Sequence, residues 1–204
     1  MKRGKKYRGS VEKIEKDKVY SLSEAVSLIR ENKTAKFDES VEIHIKTNVD
    51  PKKGDQQIRG TVNLPYGTGK TKKIAVITST TFAQAKEAGA DTVGGEELIE
   101  SIKNGKLVPF SDFDILVATP EMMPKLAKIA KILGPKGLMP NPKSETVTTK
   151  VKETVIALKK GKAAFKNDDS GNVHQVVGKI SFETENLIEN IKAFIEEVEK
   201  AKPA

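Results

Sequence analysis

Cysteine and tryptophan are absent from this chain of 204 residues, and histidine occurs only twice. Without cysteine the chain cannot form a disulfide, a thiolate nucleophile or a cysteine-based zinc or iron–sulfur site. No stretch holds the roughly 18 consecutive apolar residues of a membrane-spanning helix, and the basic amino terminus lacks the apolar core of a signal peptide. We therefore expect a soluble, unsecreted protein with no membrane partner and no cofactor.

Basic residues outnumber acidic residues in this chain. Lysine and arginine number 36 against 28 acidic residues, which gives a formal net charge of +8. The charge is segregated, because residues 1–20 and 150–179 are mainly basic whereas residues 183–200 are mainly acidic. This pattern favours a basic face for a phosphate-rich partner, with an acidic helix turned away from it.

Near both ends of the chain, apolar and polar residues alternate, as in strands with one buried face. In residues 36–47 the alternation puts Val41, Ile43 and Ile45 on the buried face. The other face is open to water or a ligand and carries Ser40, Glu42, His44 and Lys46. Further half-buried strands are predicted at residues 57–64, 163–166 and 173–182. In the last strand the predicted faces are Val176, Ile180 and Phe182 on one side and Gln175, Lys179 and Ser181 on the other.

The middle of the chain has a different pattern. Residues 74–78 and 113–119 are almost continuously apolar, as in strands of a parallel sheet that is covered on both faces. Helical spacing is found at residues 82–88, 96–103, 121–133 and 151–160. The two patterns together predict an α/β and α+β fold. Residues 1–67 and 156–204 form a split α+β domain built from both termini, and residues 68–155 form an inserted three-layer α/β (Rossmann-like) domain.

Three features flank these elements. Residues 1–9 form a basic arm without apolar periodicity, which predicts either a segment that becomes ordered on nucleic acid or a simple tail. Ser21 and Glu24 form a capping-box pattern before a helix that ends near Asn32. Thr184 is placed to cap the last helix.

The segment Leu-Gly-Pro-Lys-Gly-Leu-Met-Pro-Asn-Pro-Lys, residues 133–143, cannot continue the helix before it. Leu138 and Met139 are expected to hold this loop against a core, while Lys136 and Lys143 reach solvent. A rigid surface loop and a polyanion site both fit the composition.

Two short patterns point to other chemistry. Residues 67–71, Gly-Thr-Gly-Lys-Thr, resemble a P-loop, which makes an RNA-dependent ATPase the alternative from another class. That pattern requires a glycine where Leu64 stands and a helix after the lysine, whereas a buried strand is predicted there. His44 and His174 lie on different predicted strands without a cluster of acidic ligands, so we predict neither a metal site nor a catalytic site.

Six motifs occur in order along the chain: residues 36–42 (Lys-Phe-Asp-Glu-Ser-Val-Glu), 55–60 (Asp-Gln-Gln-Ile-Arg-Gly), 64–70 (Leu-Pro-Tyr-Gly-Thr-Gly-Lys), 118–123 (Ala-Thr-Pro-Glu-Met-Met), 133–143 and 178–182 (Gly-Lys-Ile-Ser-Phe). Together they resemble the family of large-subunit ribosomal protein one, the protein of the mobile rRNA stalk. The resemblance implies a split α+β domain joined to an inserted α/β domain by two hinge strands. We place these hinges near residues 66–69 and 147–150.

The resemblance also implies a function. It predicts a structural, non-enzymatic protein that binds stalk rRNA of the large ribosomal subunit and acts in stalk movement and release of exit-site tRNA. Such a protein is a monomer outside the ribosome and is located on a cytoplasmic ribosome, an organellar one being the alternative. Several family members also repress translation by binding their own messenger RNA, which gives a second possible partner. The family continues past Lys-Pro with two closing strands and a Thr-Met-Gly-Pro motif, whereas this sequence stops at Ala204.

The resemblance assigns site residues as well. The RNA-facing motif of the family falls here on Lys36, Phe37, Ser40, Glu42, Gly178, Lys179 and Ser181. Hydroxyls, lysines and a glycine suit recognition of an RNA backbone and its 2′-OH groups, and Glu42 can accept from a 2′-OH. Phe37 can pack against a ribose or a base, with core packing as the competing interpretation. Secondary RNA or tRNA contacts are expected at Lys136, Lys143 and His174.

Overall fold

The chain folds into two lobes with separate cores. The computed structural model describes residues 4–15 and 17–203, and the strands of this part form three sheets. Both ends of the chain build the first lobe, called the terminal lobe here. Its elements are α1 (Lys5–Glu12), α2 (Leu22–Glu31), β1 (Ser40–Lys46), β2 (Arg59–Asn63), β6 (Lys162–Lys166), β7 (Asn172–Lys179) and α8 (Thr184–Ala201).

The chain between β2 and β6 forms the second lobe, called the inserted lobe here. Its main elements are β3 (Ile74–Ile77), α3 (Phe82–Glu87), β4 (Thr92–Gly94), α4 (Glu96–Lys103), β5 (Ile115–Ala118), α5 (Met123–Leu126), α6 (Ala130–Leu133) and α7 (Val151–Lys160). A lobe made from both ends of the chain and an inserted α/β lobe confirm the predicted fold class. The domain boundaries near residues 67 and 156 stay a prediction.

The terminal lobe consists of two antiparallel strand pairs with helices packed on one side. β1 pairs with β7, and β2 pairs with β6. The inward side of these strands, for example Val41 and Phe165, meets the apolar sides of α2 and α8 in one core. Phe165 contacts Phe194 of α8 edge to face, with the ring centroids 5.4 Å apart. The other face of the β1–β7 pair lies outside this core, as the alternation in β1 predicted.

A β-bulge in β7 changes the faces predicted for residues 173–182. Val41 pairs with Gly178 but Glu42 pairs with Val176, which leaves Val177 as the extra residue. Val177 is buried in the core, whereas Val176 shares the outer face with Glu42. One extra residue shifts the alternation by one position. The predicted faces are therefore wrong. Residues before the bulge, Gln175 and Val176, do not share a face with the residues after it to which they were assigned, which are Lys179 and Ser181 for Gln175 and Ile180 and Phe182 for Val176. The strand also ends at Lys179, before a turn.

The inserted lobe has three layers. β3 lies between β4 and β5, and all three strands are parallel. Ala75 and Ile77 of β3 face a core with α4 and residues 122–133, whereas Ile74 and Val76 face a second core with α3 and α7. Because both faces of the sheet are covered, a continuous apolar run is stable in this strand. Residues 146–148 bridge to the edge of β5.

The helix predicted at residues 121–133 is interrupted. A 3₁₀ turn at Pro120–Met122 precedes α5, and a second one at Ala127–Ile129 separates α5 from α6. Pro124 explains the irregular winding, because it has no N–H to donate and its ring crowds the preceding turn. The tighter turns change which residues are buried. Met122, Leu126, Ile129 and Leu133 are buried in the core, whereas Ile132 is only partly buried.

The amino-terminal arm is helical where it is described. Residues 1–3 lie outside the described residues, and α1 begins at Lys5. Ser10 donates its hydroxyl to the carbonyl oxygen of Lys6 at 3.2 Å within this helix. No side chain of α1 is buried, so apolar periodicity gives no signal for it. The arm at residues 1–9, predicted to be a simple tail or a segment that becomes ordered on nucleic acid, is helical from Lys5 onward.

One of the two predicted helix caps is present. The hydroxyl of Ser21 accepts from the N–H of Glu24, and the carboxylate of Glu24 accepts from the N–H of Ser21, so the capping box of α2 is confirmed. Thr184 is the first residue of α8 and makes no cap. Its hydroxyl instead accepts from the guanidinium of Arg30 at 2.9 Å, which joins α8 to α2.

Two contacts hold the segment that leads from β2 to the inserted lobe. Asn190 of α8 is fully buried, accepts from the N–H of Tyr66 at 3.1 Å, and donates to the carbonyl oxygens of Gly67 at 3.0 Å and Val177 at 2.7 Å. Gly161 has a φ of 121°, and a Cβ at this position would lie 2.5 Å from the Cα of Gly67. The linking segment is therefore fixed to α8 and to the start of β6.

Candidate nucleic-acid interface

The turns at residues 36–39 and 180–182 meet at one end of the β1–β7 pair. Strand register puts Ser40 opposite Lys179, and the Lys179 Nζ donates to the Ser40 hydroxyl at 3.0 Å and to the carbonyl oxygen of Asp38 at 3.1 Å. Ser181 donates its N–H at 3.1 Å and its hydroxyl at 2.7 Å to the carboxylate of Asp38. Three residues of the predicted site, Ser40, Lys179 and Ser181, are thus brought together around Asp38. We call these four residues the Asp38 cluster.

Asp38 itself was missed by sequence reasoning. It was not among the residues assigned to the RNA site, although it lies between Phe37 and Ser40 in the motif at residues 36–42. In the structure its two carboxylate oxygens and its carbonyl oxygen fix the turn after β7. Asp38 therefore positions Lys179 and Ser181, and its place inside the motif was the available signal.

Phe37 projects from the same turn into solvent. Its side chain is 71% exposed, so the competing interpretation of core packing is wrong. Lys36 beside it is also exposed. Exposed aromatic rings are costly to hydrate, and in nucleic-acid-binding proteins they serve as stacking surfaces for bases. The turn thus presents an amine and an aromatic ring next to the Asp38 cluster.

Gly178 is buried, and the reason is internal packing. A Cβ at this position would lie 2.7 Å from the Cδ2 of Leu187 and 3.0 Å from a ring carbon of Phe182. The glycine therefore allows α8 and the turn at residues 180–182 to approach β7. Its close contacts are with the protein's own side chains.

The outer face of the β1–β7 pair continues the surface away from the Asp38 cluster. It carries Glu42, which is exposed, then the cross-strand pair of His44 and His174. Glu42 Oε2 lies 3.8 Å from His44 Nε2, and Asp168 Oδ2 lies 3.2 Å from His174 Nε2. The N–H of Asn172, with smaller contributions from His174 and Ser170, lowers the pKa of Asp168 from 3.8 to about 2. The two histidines lie on different strands, as predicted, and strand pairing puts their rings in contact.

The loop at residues 133–143 behaves as predicted. Leu138 is buried in the core of the inserted lobe, and Met139 packs against the same core. Lys136 and Lys143 are exposed. The two lysines belong to the inserted lobe, whereas the Asp38 cluster belongs to the terminal lobe. They remain candidates for secondary contacts only.

A basic cleft separates this loop from the terminal lobe. It has a volume of about 440 Å³ and its lining includes Arg59, Lys143 and Lys166. Beside the cleft, Glu145 forms an ion pair with Lys162 and accepts from the hydroxyl of Thr61 at 3.3 Å. Lys162 lowers the pKa of Glu145. Glu145 therefore joins the inserted lobe to β2 and β6 of the terminal lobe.

The P-loop-like segment does not have the geometry of a nucleotide site. Lys70 is exposed, and β3 follows it without an intervening helix. A P-loop needs a helix N-terminus directly after the lysine, because its N–H groups hold the phosphates. Gly69 instead packs against the terminal lobe, with Lys179 and Phe182 as its nearest side chains.

The described residues set further limits on the chemistry. Within residues 4–15 and 17–203, no group of three or more His, Asp or Glu side chains is arranged to hold a metal ion. The helices in this part of the chain are all too short or too polar to cross a membrane. What the β1–β7 surface offers is hydroxyls, amines, a carboxylate and an exposed aromatic ring. These groups can hydrogen-bond to phosphates and sugars and stack on bases.

Comparison with known proteins decides the family. The model of the ribosomal protein L1p/L10e family matches residues 29–204, which is most of the chain. The chain belongs to this family. It is 53% identical over 199 residues to a protein of Mycoplasma capricolum subsp. capricolum named "Large ribosomal subunit protein uL1", and the match covers 98% of this chain and 87% of that protein.

Other L1p/L10e relatives from distant bacteria are similar to a comparable degree. The proteins of the same name from Kosmotoga olearia and Deinococcus radiodurans are 48% and 51% identical over 204 residues. These matches cover 100% and 99% of this chain, and 87% and 86% of the relatives. Membership in a family of ribosomal proteins removes the support for an ATPase, which rested on a short pattern whose geometry is absent. The resemblance stated from the motifs is thereby confirmed.

Proposed function

We propose that this L1p/L10e protein is a structural, non-enzymatic component of the large ribosomal subunit that binds stalk rRNA through its terminal lobe. The observation that carries the proposal is the Asp38 cluster together with the exposed Phe37. Four residues assigned to the RNA site from motifs alone, Phe37, Ser40, Lys179 and Ser181, lie side by side although they come from opposite ends of the chain.

The chemistry of this surface suits a folded RNA. RNA helices and turns are recognised mainly through phosphates, 2′-OH groups and unstacked bases. Lys179 and Lys36 supply positive charge, Ser40 and Ser181 supply hydroxyls, and Phe37 supplies a stacking surface. Glu42 is exposed on the same face and can accept a hydrogen bond from a 2′-OH. The hydrogen bonds of Asp38 hold Lys179 and Ser181 in place before RNA arrives, which lowers the entropic cost of binding.

RNA binding by two single variants tests the site. We expect Phe37→Ala and Lys179→Ala each to weaken binding of a stalk-rRNA fragment by roughly 1–3 kcal/mol, the range for one stacked base or one charged hydrogen bond. For the wild type, log K should fall linearly with log salt concentration, with a slope of about −0.7 to −0.9 per neutralised phosphate. Fluorescence anisotropy over a salt series measures both quantities.

Matched controls are available in the inserted lobe. Phe110 is 58% exposed, and Lys106 is exposed on the same lobe. Phe110→Ala and Lys106→Ala remove the same side chains from a surface outside the proposed site, so they should bind RNA as the wild type does. Unchanged affinity in a folded Phe37→Ala, Lys179→Ala double variant would move the site elsewhere.

We further propose that the two lobes are domains that move relative to each other during stalk movement and release of exit-site tRNA. We place the boundaries of these domains near residue 67 and, on the return of the chain, at the end of α7, because Val151, Val155 and Leu158 of this helix pack in the core of the inserted lobe. The contacts of Glu145 with Lys162 and Thr61 join them in the closed arrangement, so Glu145→Gln should favour opening.

The absence of cysteine makes this motion measurable by distance labelling. Single cysteines introduced by Lys106→Cys in the inserted lobe and Lys192→Cys on α8 can carry a spin label or a dye pair. We expect a longer label distance with stalk rRNA, and a larger open population in Glu145→Gln without RNA. Identical distance distributions in all three samples would leave domain opening without support.

The same RNA surface supports a second candidate function. A repressor would bind a mimic of the rRNA site in its own messenger RNA, with Phe37 and Lys179 making the same contacts. Binding of the leader of that messenger, weakened in Lys179→Ala, is the expected result for repression. The alternative of an RNA-dependent ATPase is tested by measuring ATP hydrolysis in the presence of RNA. Hydrolysis that disappears in Lys70→Ala would overturn the structural role.

A further inference from the structure

His44 and His174 face each other across the two strands of the β1–β7 pair. They are 130 residues apart in sequence, yet strand register makes them direct partners. Their Nδ1 atoms lie 2.5 Å apart, and the ring centroids are 4.7 Å apart at an interplanar angle of 65°. Two bare nitrogen lone pairs at such a distance repel each other. A proton on one ring or a cation shared by both is therefore needed between them.

The outer ring nitrogens already have carboxylate neighbours. His174 Nε2 lies 3.2 Å from Asp168 Oδ2, and His44 Nε2 lies 3.8 Å from Glu42 Oε2. The N–H groups of Asn172 and Ser170 donate to Asp168 Oδ1, which orients the carboxylate so that its Oδ2 can accept from the Nε2–H of His174. A carboxylate that accepts from one ring nitrogen fixes the tautomer and leaves the other nitrogen unprotonated. This is the arrangement that orients histidine ligands in metal sites.

We propose that the Nδ1 atoms of His44 and His174 chelate one divalent transition-metal ion, with copper(II) or nickel(II) preferred over zinc, on the outer face of the β1–β7 pair. Imidazole nitrogen is a ligand suited to all three ions. The side chains are 59% and 46% exposed, so water can complete the coordination shell.

The donor spacing decides which ion fits. With metal–nitrogen bonds of about 2.0 Å, two nitrogens are about 2.8 Å apart when the bond angle is 90° and about 3.3 Å apart at the tetrahedral angle. The observed 2.5 Å is closer to the first value, so the rings need to separate by only about 0.3 Å. Square-planar and octahedral ions have 90° angles, whereas zinc in proteins is tetrahedral. Copper(II) also leads the general affinity order for such ligands.

Charge around the site both helps and opposes the ion. Asp168 and Glu42 lie beside the outer ring nitrogens, and their charges attract a cation. Lys46 is the next outward residue on β1 and lies opposite Asn172, and its positive charge repels the metal ion. We therefore expect removal of Lys46 to strengthen metal binding slightly, which makes it a useful control on the same face.

The experiment uses the untagged full chain, since a histidine tag would compete for the ion. Isothermal titration with copper(II) chloride should show one site, and the electron paramagnetic resonance spectrum should show coupling to two nitrogens. His44→Gln and His174→Gln should each weaken copper binding at least 10-fold, because loss of either ring abolishes the chelate. Lys46→Ala should bind copper no more weakly than the wild type. Nickel(II) should broaden amide signals selectively near residues 42–46 and 172–176.

Several results would overturn the site. Copper affinity within twofold of wild type in the His44→Gln, His174→Gln double variant would show that the ion binds elsewhere. Equal affinity in the wild type and in both single variants would show two independent imidazoles and no chelate. Tighter binding of zinc than of copper(II) would contradict the geometry argued from the donor spacing. Far-ultraviolet circular dichroism of each variant shows that it is folded. None of these outcomes depends on RNA binding, so the experiment tests the metal site independently of the proposed function.

Discussion

Removal of the Asn190 side chain should destabilise the protein more than any surface change on the same helix. Asn190 is fully buried and makes hydrogen bonds to Tyr66, Gly67 and Val177 at 3.1, 3.0 and 2.7 Å. In Asn190→Ala these three backbone groups lose their partner. Each buried hydrogen bond contributes about 0.5–1.5 kcal/mol, and a group left unpaired costs about 1–3 kcal/mol. Because the groups at residues 66 and 67 can partly reach water, we expect a total loss of roughly 2–4 kcal/mol in the free energy of unfolding.

Urea unfolding is the assay for this loss. The chain has no tryptophan, so far-ultraviolet circular dichroism is the appropriate signal. Asn186→Ala is the matched control, because Asn186 lies one turn earlier on α8 and is neither fully buried nor hydrogen-bonded to the linking segment. The control should change the free energy of unfolding by less than about 0.5 kcal/mol, as surface substitutions usually do.

Hydrogen exchange adds a local readout. The N–H of Tyr66 donates to Asn190, so its exchange should accelerate in Asn190→Ala and stay slow in Asn186→Ala. A loss of stability within about 0.5 kcal/mol of the control would refute the reasoning. Unchanged exchange at Tyr66 would show that another contact fixes the linking segment.

Three further predictions concern the terminal lobe. Asp168→Asn should flatten the pH dependence of stability in acid. The lowered pKa of Asp168 stabilises the fold above pH 3.8, and this contribution is lost as the pH falls toward about 2. Thermal unfolding measured from pH 5 to 2 should therefore depend less steeply on pH in the variant than in the wild type. Equal slopes of stability against pH in the two proteins would contradict this prediction. Ser21→Ala should cost about 1 kcal/mol in urea unfolding because the capping box with Glu24 is lost, and no change would show that α2 is held by packing alone. Gly161→Ala should lower the free energy of unfolding by roughly 1–3 kcal/mol, because a φ of 121° is strained for alanine and a Cβ would meet the backbone of Gly67. Wild-type stability in this variant would mean that the linking segment can shift at little cost.

Local sequence pattern correctly predicted several features that local interactions decide. The capping box of α2, the buried run of β3 and the outward polar side of β1 were all predicted correctly, because capping, two-sided burial and alternation act within a few residues. The pattern failed where a single irregularity intervenes. Val177 shifts the alternation of β7, and Pro124 breaks the helix before the loop at residues 133–143. The bulge has no strong signal in the surrounding residues, whereas Pro124 is itself a sequence signal for a break in the helix.

The sequence by itself determined the family, the two-part fold and the identity of most candidate site residues, because motifs and periodicity are local and need no partner. Only the tertiary structure decided how those residues meet. Asp38 gains its role because Lys179 and Ser181, more than 100 residues away, fold onto it. His44 and His174 become a pair in the same way. The physical reason is that antiparallel register between β1 and β7 fixes these contacts across the sheet, and register depends on the bulge, the core and α8 together.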